Sequence, residues 1–372
     1  MYLDYAASTP VRPEVLQEFN RVAVEEYANP SSEHYAGVLA KEEIDYSKEK
    51  ISRQLGCSAN ELYFTSGATM SNNVVIQGFV QRKGLNAFMC SAVEHNDIMM
   101  IADYLHGSVK DHYMLGVDDN GIIKLDELDD KLRKYAELGF SVLVSIQVAN
   151  SETGIIQPIA AISEIIHKYP NCYFHTDATQ YIPYFQVNVK TLGIDALSMS
   201  GQKICGLKGS GLLYLNKNLQ ITPIIFGEQG LIGGTYPTPL IVSLSKAFEL
   251  NHSDNTDLYK KRDYLLDDLL GLGAEIIGTT DLNERLPNNI CVRFPGVRGD
   301  TLMHLLSEQG IYISTGSACS SGSDKPSHVA LAMGLSEQQA MEMIRITISN
   351  ATTYEDLDYV AKVIKGLLEL IR

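Results

Sequence analysis

Read for hydrophobic period, the chain alternates two patterns over its first two thirds. "ELYFTSG" is a short apolar run that predicts a strand, and "ATMSNNVVIQGFVQRKG" spaces Val74, Val75, Gly78 and Phe79 along one side of a helix. "LNAFMCSA" predicts a strand and residues 96–106 a helix. "LDELDDKLRKYAEL" is amphipathic at helical period, whereas "FSVLVSIQVAN" is a continuous Val- and Ile-rich run, the pattern of a parallel strand buried on both faces. "PIAAISEIIHKY" opens a helix on Pro, and the strands "CYFHTDA", "DALSMS" and "GLLYL" follow. Strands alternating with helices predict an α/β architecture, a mostly parallel sheet covered by helices on both sides.

The pattern changes at the polar run "NHSDNTD". Beyond it come the helix "LYKKRDYLLDDLLGL", the strand "NNICVRF", the helix "DTLMHLLSEQ", the strand "EMIRITIS" and a final helix. This is a smaller α+β unit. The expected division is a large domain over residues 14–252 and a small domain over 253–372, joined by the N-terminal segment 1–13.

Composition narrows the function. A chain of 372 residues exceeds the size at which one core stops growing, so two domains are expected. With 45% hydrophobic and 20% charged residues it has the make-up of an ordinary globule. A formal charge of -15 argues against nucleic acid or an anionic membrane as the direct partner. The N-terminus "MYLDYAASTP" has no apolar signal segment, and no stretch approaches the roughly 18 apolar residues of a spanning helix, so a cytoplasmic location is expected. Six cysteines without C-x-x-C pairing predict neither a disulfide framework nor a zinc site. Five have apolar neighbours and are expected in the core. Cys319, in "STGSACSSGS", has nothing to bury it.

Ligands of such sheets bind beyond the carboxyl ends of the strands. The segments that follow those ends are "TSGAT", "AVEHN", "ANSETG", "TDATQ" and "SGQK", all polar. Gly67 before a helix start offers free backbone N–H groups and a positive dipole end to an anion, with the Thr69 hydroxyl as a further donor. Asp177 ends a buried strand, where a carboxylate needs a cation. Lys203 is the lysine of the group. A phosphate site, a carboxylate for a protonated ring nitrogen and a lysine amine for an aldehyde together specify pyridoxal 5'-phosphate (PLP). His95 could stack on its ring and move protons.

The segments "LDYAASTP", "NPSSEHYAG", "FTSGATMSNN", "AVEHND", "NSETG", "FHTDATQ", "SGQKICGLKGSG", "GGTYPTP", "STGSACSSGS" and "MIRITIS" resemble, in order and spacing, those of the cysteine desulfurases. These belong to the class V aminotransferase-like branch of fold-type I PLP enzymes, and the resemblance runs from about residue 2 to about residue 365. It implies that Lys203 carries the cofactor, that Asp177 faces the ring nitrogen and that Gln180 meets the phenolic oxygen. Ala68, Thr69, Ser200 and, from the partner subunit of a homodimer, Thr235 would bind phosphate. Asn150, Ser151 and Gln202 would also line the cofactor site. His95 would act in proton transfer, and Arg345, with Ser151, would bind the substrate carboxylate. Cys319 would take sulfur from L-cysteine as a persulfide, releasing alanine. The sulfur would pass to an acceptor protein serving iron-sulfur cluster or thiolated tRNA synthesis.

Three positions depart from the family pattern. Gln202 stands where His is usual, Ser151 where Asn is usual, and Ile232 where Arg is usual. They keep open a second chemistry, that of a PLP-dependent lyase, epimerase or aminotransferase acting on another small amino acid. Retention of Lys203, Asp177 and Cys319 together argues against a non-catalytic homologue. No metal site is expected.

Overall fold

A computed structural model describes residues 1–82, 84–227, 230–251, 254–316 and 325–371. Cys319 lies outside the described residues.

The first half lays down helices α1 (Pro13–Glu25) and α2 (Tyr35–Leu55), strand β1 (Leu62–Thr65), α3 (Ala68–Val80), β2 (Leu85–Ser91), α4 (Asn96–Tyr104), β3 (Asp111–Leu115), α5 (Leu125–Glu137), β4 (Ser141–Ser145), α6 (Ile159–His167) and β5 (Cys172–Asp177). It continues with β6 (Ala196–Ser200), β7 (Gly211–Leu215), α7 (Thr238–Glu249) and α8 (Thr256–Gly271). The last part holds β8 (Glu275–Ile276), β9 (Asn289–Arg293), α9 (Gly299–Glu308), α10 (His328–Ala332), α11 (Glu337–Met341), β10 (Met343–Thr347) and α12 (Tyr354–Ile371).

Seven strands form one sheet in the order β1-β7-β6-β5-β4-β2-β3. The pairs among β2, β3, β4, β5 and β6 are parallel, and β7 runs antiparallel to both of its neighbours. The architecture is the expected one, a mostly parallel sheet under helices. Side chains alternate along each strand into separate cores. Ala87, Met89, Val142, Val144, Leu197 and Met199 enter one cluster, and Phe88, Cys90, Leu143, Ala196, Leu213 and Leu215 the other. A sheet buried on both faces is what the uninterrupted apolar runs predicted. The short strand β3 and helices α1, α2 and α7 were not anticipated.

A second sheet, β10-β9-β8, is antiparallel and has its own core with α8, α9 and α12. The first residues of the chain join it. Leu3 is fully buried in that core, Asp4 bridges Thr347, and Tyr2 bridges Tyr312. From there the N-terminal segment runs to the seven-stranded sheet, where Thr9 bonds Gln202 and Cys205.

Of the five described cysteines, Cys90, Cys172 and Cys291 are buried as expected, but Cys57 and Cys205 are only half-buried. Cys205 follows Lys203 closely and has φ of 58°, a left-handed conformation that keeps it out of a regular packed element.

Candidate active site

The carboxyl ends of β1, β2, β4, β5 and β6 open onto a single cavity of about 380 Å³. Each strand end contributes to its wall: Ala68 and Thr69, then His95 and Asp97, then Ser151, then Asp177 and Gln180, then Ser200, Gln202 and Lys203. Arg345 and Asp4 close it from the side of the small sheet.

At the anion end, the Ala68 N–H donates to Ser200 Oγ at 2.8 Å. The two glycines beneath this turn touch. A Cβ on Gly211 would come within 2.4 Å of the Gly67 Cα, so β7 can lie under the start of α3 only with glycine there. Gly67 itself has φ of 151°.

Opposite, Asp177 is 7% exposed. Its Oδ1 accepts from the Thr179 N–H and its Oδ2 from Asn72 Nδ2. Burial, and then the negative charge of Asp97, push its carboxyl above the ordinary value, while the bonds from Thr179 and Asn72 oppose them. No cationic side chain among the described residues forms an ion pair with it.

Lys203 Nζ donates to the carbonyls of Ala6 and Ala7 at 2.6 and 2.5 Å, and Gln180 Nε2 donates to Ala6 O at 3.0 Å. The N-terminal segment therefore holds the amine in place. The Gln202 carbonyl accepts from Thr9, and its side chain lines the cavity.

Arg345 is 4% exposed. Its Nη2 pairs with Asp4 Oδ1 at 2.6 Å, its Nη1 donates to Ser151 O at 2.9 Å, and its Nε is buried without a partner. The guanidinium expected to meet a substrate carboxylate already carries one carboxylate neighbour.

His95 Nδ1 lies 2.8 Å from Asp97 Oδ1. His95 also borders a neighbouring cavity of about 190 Å³, with Glu94, Asn150, Glu152, Ser327 and His328 on its walls. Glu94 is fully enclosed. Its Oε1 accepts from Ser91 and the Gln147 N–H, its Oε2 has no partner, and burial pushes its carboxyl up to about 8. Burial likewise pushes Glu152 up to about 7, opposed by the Ser327 hydroxyl at 2.5 Å and by the Arg345 charge.

Two expected residues stand apart from the larger cavity. Asn150 does not border it: its Oδ1 accepts from Glu152 N and Thr153 N, and its Nδ2 donates to Val93 O, which fixes the turn that presents Ser151. Thr235 is exposed and off the cavity wall. Three residues that the sequence reading passed over belong to the site: Asp97, Asn72 and Asp4. For Asp97 a signal existed, since a carboxylate two residues beyond a histidine that caps a helix can fold back onto the ring. For Asn72 and Asp4 there was none.

The donor set fits PLP. A buried carboxylate whose proton affinity is raised, a lysine amine and a helix start beside Ser200 match a ring nitrogen, an aldehyde and a phosphate on one molecule.

The aminotransferase class-V family model matches residues 1–360. The cysteine desulfurase IscS of Methanosarcina thermophila is 38% identical, with 100% of this chain and 93% of that protein covered. Among solved structures, a NifS-like protein superposes with a TM-score of 0.91 at 33% identity, covering 100% of this chain and 99% of that one. A structure described as SspA in complex with cysteine superposes with a TM-score of 0.81 at 32% identity, covering 93% and 98%. Members of this family are PLP-dependent, and the chain belongs to the cysteine desulfurase branch of the class-V aminotransferases.

Proposed function

We propose that this chain is a PLP-dependent cysteine desulfurase that converts L-cysteine to L-alanine and leaves a persulfide on Cys319. The observation that carries this reading is that Lys203, Asp177, His95 and Arg345 border one cavity. The names of the relatives support it, and nothing in them supports the lyase, epimerase or aminotransferase alternative.

When bound, PLP supplies an electron sink that stabilises negative charge at the substrate α-carbon. The Lys203 amine would join its aldehyde, Asp177 would take the ring nitrogen and Gln180 the phenolic oxygen, and the start of α3 with Ala68, Thr69 and Ser200 would hold the phosphate, with Gln202 a further donor. Ser151 would help to bind the substrate. Arg345 orients the substrate carboxylate, which fixes the α-proton within reach of a base. His95 moves that proton. The Cys319 thiolate then forms a sulfur–sulfur bond to the substrate sulfur as the carbon–sulfur bond breaks, and the electron pair left on carbon takes a proton to give alanine.

Incubation of the purified protein with L-cysteine is expected to yield alanine and protein persulfide in equal amounts, both lost in Cys319→Ala. Alanine formation unchanged by that substitution would remove Cys319 from the mechanism. Keto-acid or epimer formation from another amino acid, with none of these products from cysteine, would favour the alternative.

The finer parts of the reading are a large domain over 14–252, a small domain over 253–372 with 1–13, and a homodimer in a reducing, cytoplasmic setting. The exposure of Thr235, and of the large apolar side chains Phe226, Tyr27 and Tyr35, each more than three-quarters exposed, supports a partner subunit. The free cysteines support the reducing setting. No helix among the described residues is long and apolar enough to cross a membrane. The sulfur acceptor is a protein of iron-sulfur assembly or of tRNA thiolation.

A further inference from the structure

Asp97 stands in the first turn of α4, two residues beyond His95, with its side chain 11% exposed. Its Oδ1 faces His95 Nδ1 at 2.8 Å. Its Oδ2 accepts from Asn72 Nδ2 at 3.3 Å, and the same nitrogen donates to Asp177 Oδ2 at 3.1 Å. Asn72 is fully buried. One amide thus joins the acid beneath the imidazole to the acid at the end of β5.

Two groups compete for Nδ1, the carboxylate and the Asp97 backbone N–H at 3.4 Å. Burial pushes the Asp97 carboxyl up, but hydrogen bonds from His95, Thr69 and Asn72 and the charge of His95 outweigh it and hold the group below its ordinary value. An ionised carboxylate can only accept. The proton in the shorter contact therefore belongs to Nδ1, and the chemistry falls to Nε2.

We propose that Asp97 is a positioning residue: it fixes the His95 imidazole with Nδ1 protonated and, through Asn72, ties its orientation to that of Asp177. The inference rests on the reading of His95 as the proton-moving group. Other charged or titratable groups border the same two cavities: Asp4, Glu94, Glu152, Asp177, Lys203, Lys325, His328 and Arg345. Burial disfavours the charged forms of Glu94, Glu152 and His328. Among the described residues Asp97 is the carboxylate that touches the ring. A carboxylate at that distance favours the imidazolium, so removing its charge lowers the pH at which His95 titrates.

The test is long-range proton–nitrogen spectroscopy of the histidine rings in ¹⁵N-labelled protein, without cofactor and loaded with PLP, the His95 signals being identified by their loss in His95→Gln. In the native protein the neutral ring of His95 is expected as the Nδ1-protonated tautomer. In Asp97→Asn its midpoint is expected to fall by about one pH unit, a tenfold weaker hold on the proton. In the loaded enzyme kcat is expected to fall about 10- to 100-fold with KM within about twofold, and the acid limb of the rate profile to move to lower pH. Asp97→Glu should recover part of both effects. An Nε2-protonated His95 in the native protein, or an unchanged midpoint in a folded Asp97→Asn, overturns the inference. The native tautomer decides even if the variant does not fold. A shifted midpoint with unchanged kcat upholds the positioning role and removes His95 from the proposed proton transfer.

Discussion

The floor of the cavity and its rim are made from opposite kinds of contact. On the floor, Asp177, Ser200 and Lys203 stand at or just past the ends of the neighbouring strands β5 and β6, and the turn of His95 is set by Asp97 two positions away. On the rim, Arg345 meets Asp4 across 341 residues of sequence and Ser151 across 194. Strand order therefore brings most of the floor together, and only the Lys203 amine there also needs the carbonyls of Ala6 and Ala7. The rim exists only when residues 4, 151 and 345 have come together.

The division of labour can be broken at its strongest point first. Lys203→Ala should abolish a borohydride-trappable pyridoxyl adduct and lower turnover by more than about a thousandfold. An adduct that persists on another lysine would end the assignment of the floor. Arg345→Lys tests the rim. It replaces a planar fork by a single rotatable ammonium, and should lower kcat/KM by roughly 10- to 100-fold, mostly through KM, with the cofactor's absorbance intact. A large fall in kcat at unchanged KM would mean that the rim takes part in the chemistry.

Asp4→Asn sharpens the contrast, because it removes the partner of a buried guanidinium while leaving the guanidinium in place. The expected cost is about 3 kcal/mol of stability, seen as a lower Tm. No change in Tm would show that the pair contributes little to holding the rim. The smallest effect belongs beside the floor, at Glu94. An unfolded glutamate ionises near 4.5 and this buried one near 8. Between those values the folded chain keeps a proton that the unfolded chain has released, so stability declines as pH rises through this window. Glu94→Gln keeps an oxygen for Ser91 and the Gln147 N–H without a titrating proton. The variant and the native protein should melt together near pH 5 and separate by roughly a few degrees near pH 8, the variant being more stable. Parallel melting curves across that range would contradict the neutral state assigned to Glu94.

The same contrast explains what could be read in advance. Apolar period marked the strands, and the polar residues just past them gave the floor, since strand ends in a parallel sheet converge whatever the details of packing. The antiparallel course of β7 left no trace in "GLLYL", whose apolar run fits either direction. Asn150 stands next to Ser151 in sequence yet off the larger cavity, because its amide is taken up by the turn that it folds. Asp4 could not be read in advance, because nothing near it in sequence indicates an arginine 341 residues away. Cys205 and Cys57, with apolar neighbours in sequence, are half-buried because neighbours in sequence do not decide enclosure.

The N-terminal segment carries a consequence for synthesis. Residues 3, 4 and 6 bond Thr347 and Arg345, so this stretch finds its place only after the strand that carries those two residues has been made. Until then the carbonyls of Ala6 and Ala7 lack a fixed position, and so does the amine they hold. During synthesis the Lys203 amine thus receives its final surroundings later than the strands around it, once β10 has formed.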